Sequence, residues 1–154
     1  VCYGTVDSMA YNYDKFDINM TEFVRDNNIQ SSTGYLLITS LKDKFTYVYE
    51  YKNKWELEYK WSSTVGKTST PTIKGVFSVG TKYPAIGGDT SSVKYATNIV
   101  DDYYYHSIIY DAQGLTIKDD RLGVEISHGC IRLATSSAKW IYDNIPERTP
   151  IIIN

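Results

Sequence analysis

A mainly β fold with two short helices is what the sequence predicts, and three observations predict it. Residues 45–51, FTYVYEY, and 55–61, WELEYKW, alternate aromatic and polar positions across a short KNK break, the period of a hairpin with one apolar face. Fifteen tyrosines in 154 residues point the same way, because flat aromatic rings fit a pleated, half-buried surface. Helix signals are confined to two stretches, residues 20–27 and 135–145.

Taken in order, residues 1–15 show no period and read as an irregular lead-in. Asn19 then stands as an N-cap with Glu22 three residues on, and Ile18 is placed to staple onto Phe23, so a helix over residues 20–27 follows. After QSSTG, the mostly apolar residues 35–41 read as a strand, followed by the hairpin. Glycines and a proline surround a further short strand over residues 76–79. Residues 83–102, with PAIGGDTSS and no sustained period, read as a long loop, the kind of segment that serves as a lid or binding loop. YYYHSIIY (103–110) resumes as a strand ending at DAQG. The second helix is expected to be capped near Thr135 or Ser136 and to place Ala138, Ile141, Tyr142 and Ile145 on one side before Pro146. PIIIN closes the chain as a buried strand.

Length and a formal charge of -2 fit one domain and exclude a basic nucleic-acid footprint. No apolar run approaches the roughly 18 residues of a membrane-spanning helix, and the first residues, VCYGTVDS, lack the charged and apolar regions of a signal peptide. Because it starts on valine, the chain is expected to be a processed or excised piece.

Chemistry concentrates in ISHGCIRL, residues 126–133. A cysteine attacks carbon as a thiolate, and its ordinary pKa near 8.5 calls for a base or cation nearby. Two histidines are available: His128, two residues from Cys130, and His106, twenty-four residues upstream. Two residues of extended chain share a face, which favours His128, but Gly129 frees the backbone to turn and so keeps His106 in play. Spacing alone does not choose. Gly129 also lets a substrate carbonyl approach backbone N–H groups that would hold an oxyanion. The plain alternative for Cys130 is a buried structural thiol. A disulfide to Cys2 is not expected, since it would consume the one thiol in a reactive setting. Two distant cysteines and two histidines form no metal-ligand spacing, so no metal is expected.

Ser127-His128-Gly129-Cys130-Ile131-Arg132, preceded by His106-Ser107 and by Arg121-Leu122-Gly123, resembles the signature of the L,D-transpeptidase catalytic domain of bacterial cell-wall enzymes. The lead strand, TPTIKGVFSVG, the helix after the motif and the final strand follow the family's order, so the resemblance covers roughly residues 33–154 and leaves residues 1–32 without a role. It implies a β-sandwich-like catalytic fold and cysteine acyl transfer on peptidoglycan stem peptides, with D-alanine released from a tetrapeptide and 3-3 cross-links formed. No organic cofactor is implied. Carbapenem-type β-lactams are implied as covalent inhibitors, and the bacterial wall outside the membrane as the workplace.

Carried over by position, the resemblance makes Cys130 the nucleophile and His106 its base, the imidazole oriented by the main-chain carbonyl of Ser107. His128, Gly129 and the Cys130 N–H would form the oxyanion region. Ser127 would steady the turn or meet substrate. Arg132, where many members carry asparagine, would orient a stem carboxylate or the turn itself. Residues 83–102 match the place of the family's flap, with Tyr95 and Tyr104 as cleft-lining candidates. Arg148-Thr149-Pro150 replaces the Gly-Thr pair many members carry before the last strand, a change expected to stay within a turn. Two rivals remain open. Water in place of the acceptor amine would make an L,D-carboxypeptidase or other cysteine peptidase, and aromatic strand faces would suit a non-catalytic wall-binding module.

Overall fold

The computed structural model describes residues 11–154, and among these it is mainly β with two helices. The first sheet is built from β1 (Tyr35–Ser40), β2 (Phe45–Tyr51), β3 (Trp55–Ser62), β5 (Gly75–Ser78) and β13 (Pro150–Ile153), in the order β3-β2-β1-β13-β5. β1 and β13 are parallel, and the other pairs are antiparallel. The second sheet follows β10 (Ile117–Asp119), β9 (Ile109–Tyr110), β7 (Ser92–Val100), β8 (Tyr103–His106) and β12 (Ile131–Arg132), with β6 (Lys82–Gly87) also paired to β7. β4 (Val65–Gly66) and β11 (Glu125–Ser127) form a small parallel pair.

The last strand explains the layering. In β13 successive side chains point to opposite faces, and both faces are covered, which is why the run is uninterruptedly apolar. Ile151 and Ile153 enter one core with Leu37, Val48, Phe77, Ile99, Tyr105 and Ile131, between the sheets and beneath α2 (Thr135–Asn144). Ile152 enters the other with Leu36, Ile38, Tyr47, Tyr49 and Val76, beneath α1 (Met20–Asp26) and the preceding chain. Burying each such large apolar side chain stabilises the fold by roughly 1.5–3 kcal/mol. The hairpin forms as expected, but its one-faced pattern is corrected: over residues 46–49 β2 has no solvent face, since Thr46 and Val48 are as buried as Tyr47 and Tyr49.

Asn19 caps α1 as expected, accepting from the Glu22 N–H at 3.1 Å. The staple does not form: Ile18 is 78% exposed, and Phe23 packs instead on Phe16 and Tyr13. For α2 the cap position falls to Ala134, without a side-chain cap, because the Thr135 hydroxyl bonds Tyr110 at 2.7 Å.

Residues 83–102 are not a long loop. β6 and β7 form an antiparallel hairpin from Lys82↔Thr97 to Gly87↔Ser92. β6 is an exposed edge strand, so it needs no apolar alternation and tolerates Pro84, which hid it from a reading based on period. At its base Lys82 Nζ donates to the Tyr142 carbonyl at 2.8 Å and to the Ile145 carbonyl, fastening the hairpin to the end of α2. YYYHSIIY likewise divides into β8 and β9, broken at Ser107 and Ile108.

Candidate active site

β8 and β12 run parallel, with Ile131 opposite Tyr105 and Arg132 opposite His106. Because side chains alternate, Tyr105 and Ile131 enter the inter-sheet core, while Tyr104, His106, Arg132 and the preceding Cys130 share the opposite face. The Tyr105 hydroxyl reaches across to Thr39 at 3.2 Å, and Thr39 bonds Thr46 at 2.8 Å, so a buried hydroxyl chain fixes the strand that carries His106.

The turn before β12 is held from two sides. Ser127 Oγ donates to the Cys130 carbonyl at 2.6 Å and accepts from the Gly129 N–H at 3.1 Å. From the 67–72 loop, Thr70 donates to the Ser127 carbonyl and Thr72 to the Gly129 carbonyl, each at 2.8 Å. Gly129 has φ +122°, and a Cβ there would stand 2.7 Å from the Tyr103 ring, so both conformation and space require glycine. With its N–H given to Ser127, Gly129 has no donor left over. The Cys130 N–H has no partner among the described residues.

His106 is buried, and its Nδ1 lies 2.7 Å from the Ser107 carbonyl. A carbonyl only accepts, so Nδ1 carries the proton and the Nε2 lone pair is left open. Burial lowers its pKa to about 4; the nearby Arg132 cation adds to this, and the Ser107 bond opposes it. Cys130 is half-buried and forms no disulfide among the described residues. Burial pushes its thiol up, the Tyr104 N–H works against this, and the Asp102 charge adds to it. The Sγ–H donates to the Asp102 carbonyl at 3.5 Å. At neutral pH the site therefore holds a thiol and a neutral imidazole rather than a preformed ion pair.

His128 is exposed on the turn, with no side-chain hydrogen bond or ion pair among the described residues. Tyr104 meets Tyr83 of β6 edge to face at 6.1 Å. Tyr95 is not brought to this group: it packs on Tyr142 of α2 and borders a cavity of about 500 Å³ with Lys94 and Gly114. Residues that sequence reasoning missed include Thr70 and Thr72, which hold the turn, and Asp119, which holds Arg132. Hydroxyls in a Thr-Pro-Thr loop and one carboxylate among many carry no local signal. No cluster of His, Cys, Asp and Glu among the described residues could hold a metal, and none of their helices is long and apolar enough to cross a membrane. Cys2 lies outside the described residues, and with it the disulfide question.

The family described as the L,D-transpeptidase catalytic domain (YkuD) matches residues 34–153. L,D-transpeptidase 2 of Mycobacterium tuberculosis is 26% identical over 159 residues, covering 92% of this chain and 37% of the relative. A fused Zn-dependent amidase/peptidase/peptidoglycan-binding protein of Clostridium acetobutylicum superposes with a TM-score of 0.74 at 38% identity, covering 88% of this chain and 58% of that one. L,D-transpeptidase 3 of M. tuberculosis, solved with a faropenem-derived adduct, has the same fold: TM-score 0.61, 20% identity, 79% of this chain and 60% of that chain. The chain thus spans between about a third and three-fifths of these proteins.

Proposed function

We propose the reaction from the premise that this chain belongs to the L,D-transpeptidase catalytic domain family: it forms 3-3 cross-links in peptidoglycan by cysteine acyl transfer between stem peptides. The observation that carries this reading is the shared face of β8 and β12, on which Cys130 and His106 lie together with the imidazole tautomer set by Ser107.

His106 Nε2 takes the Sγ proton as sulfur attacks the carbonyl of the third stem residue. The carbonyl oxygen becomes an oxyanion, for which the unpartnered Cys130 N–H is the donor at hand. Collapse breaks the amide bond, the imidazolium returns its proton to the leaving nitrogen, and D-alanine departs. An amine of a second stem then attacks the thioester, loses a proton to His106 and releases the thiol. The cycle starts from a neutral pair, so the thiol proton passes to Nε2 as the attack proceeds rather than before it. Arg132 lies on the same face, but its guanidinium is taken up by Asp119 and buried, which favours a role in fixing the site over direct contact with a stem carboxylate. Ser127, with its hydroxyl committed to the turn, is read as a turn holder, and Tyr104 as the cleft tyrosine. Such chemistry places the protein at the bacterial wall, outside the membrane, with stem peptides as partners and no metal or organic cofactor.

Intact mass after incubation with imipenem tests the nucleophile: one adduct mapping to Cys130, absent from Cys130→Ala, is expected. Incubation with tetrapeptide muropeptides tests the acceptor. Cross-linked dimers that Cys130→Ala does not form are expected; tripeptides alone would mean a carboxypeptidase, turnover unchanged in Cys130→Ala would remove Cys130 as the nucleophile, and no turnover by the wild type would leave only a binding module.

A further inference from the structure

The Arg132 guanidinium is 7% exposed, and its Nε has no partner. Its backbone is fixed on both sides, by the ladder to His106 and by a two-bond bridge to Thr64 at 2.8 and 2.9 Å. The side chain still needs a counter-charge, because a buried cation without one moves toward water. Among the described residues one carboxylate supplies it: Asp119 Oδ1 lies 3.3 Å from Arg132 Nη1. Asp119 is itself held in place. Arg121 grips it through Nε at 3.0 Å, Nη2 at 2.8 Å and its own main-chain N–H at 3.1 Å. The Arg121 carbonyl then accepts from Arg132 Nη1 at 3.4 Å and from the Thr64 hydroxyl at 2.9 Å.

The geometry points to Asp119 as a positioning residue for the proposed transfer, acting through Arg132 to hold that cation beside His106. This rests on the reading of His106 as the base. Arg132 stands opposite His106 in the ladder, so a guanidinium held in one place fixes the packing and the field at the imidazole, whose pKa burial chiefly, and this cation in addition, lowers. The exposed Arg121 side chain serves a lesser end: it braces Asp119 from the solvent side, where ion pairs contribute little.

The test uses four proteins: wild type, Asp119→Asn, Asp119→Glu and Arg121→Ala. D-alanine release from tetrapeptide muropeptide is expected to fall about 10- to 100-fold in kcat for Asp119→Asn, within the range a positioned base supplies, with KM changed less than twofold. Asp119→Glu is expected to recover a third or more of the rate, and Arg121→Ala to stay within threefold of wild type. The His106 imidazole resonances are expected to move in Asp119→Asn and to hold in Arg121→Ala. An Asp119→Asn rate within twofold of wild type overturns the positioning role. So does an equal loss in Arg121→Ala, which would make the carboxylate a mere anchor for the loop. A wild type that releases no D-alanine overturns the proposed function instead, and the imidazole resonances then decide the positioning role alone.

Discussion

Burial keeps His106 neutral down to a pKa of about 4, and this ties the stability of the fold to pH. Its folded value lies below the unfolded 6.5, so between those values the unfolded chain binds more protons and stability rises with pH. The contribution is complete above pH 6.5 and is lost as pH falls through 4. A shift of this size corresponds to roughly 3 kcal/mol. His106→Gln, which cannot titrate there, should flatten the decline in urea-unfolding free energy between pH 6.5 and 4. An unchanged decline would mean that other groups set the acid limb. Gly129 makes a second test at this scale. Gly129→Ala must bear a left-handed φ with its methyl against Tyr103, at a cost of about 1–3 kcal/mol. A folded protein that imipenem acylates at least tenfold more slowly is expected, read from a mass time course. Wild-type acylation would show that the turn adapts freely.

Among elements, the β6–β7 hairpin has the most to lose, because one face of its edge strand is open and its base hangs on Lys82. The ammonium meets carbonyls of the last turn of α2, groups that no intrahelical donor satisfies, at the negative end of the helix dipole. Lys82→Met keeps the stem's bulk and removes the charge. It should lower stability by about 1–2 kcal/mol and speed amide exchange in β6 and in the last turn of α2. Exchange confined to its wild-type pattern would mean that ladder bonds alone hold the hairpin. The turn at residues 127–130 shows the opposite economy: four hydroxyl bonds, from Ser127, Thr70 and Thr72, position one short segment whose own sequence has little regular structure.

Across the whole molecule the first sheet is covered on both sides, and that makes the N-terminal segment part of the fold. Phe16, Met20, Phe23, Val24 and Ile29 cover Leu36, Ile38, Tyr49, Val76 and Ile152. A boundary drawn between residues 32 and 33 would therefore cut through a core. Removing residues 1–32 should expose this apolar face and give a product that binds a hydrophobic dye and aggregates on size exclusion. A monomer melting as cooperatively as the full chain would show that the second core is dispensable.

Local periodicity, turn chemistry and the residues around Cys130 were enough, by themselves, to determine a mainly β chain, the site of α1 and its Asn19 cap, the buried last strand and a glycine-dependent turn before Cys130. These are properties of neighbours within a few positions, where 2- and 3.6-residue periods and side-chain caps act. Only the tertiary structure decided the rest. Which imidazole lies beside the strand of the thiol depends on the β8–β12 register, across twenty-four residues, and the pairing of Arg132 with Asp119 depends on where the intervening loop returns. The edge strand β6 escaped notice because a strand open to water needs no apolar alternation, and β2 looked one-sided because its second covering layer comes from elsewhere in the chain. Burial itself sets the protonation of His106 and Cys130, and burial is a property of the packed molecule that no local stretch of residues contains.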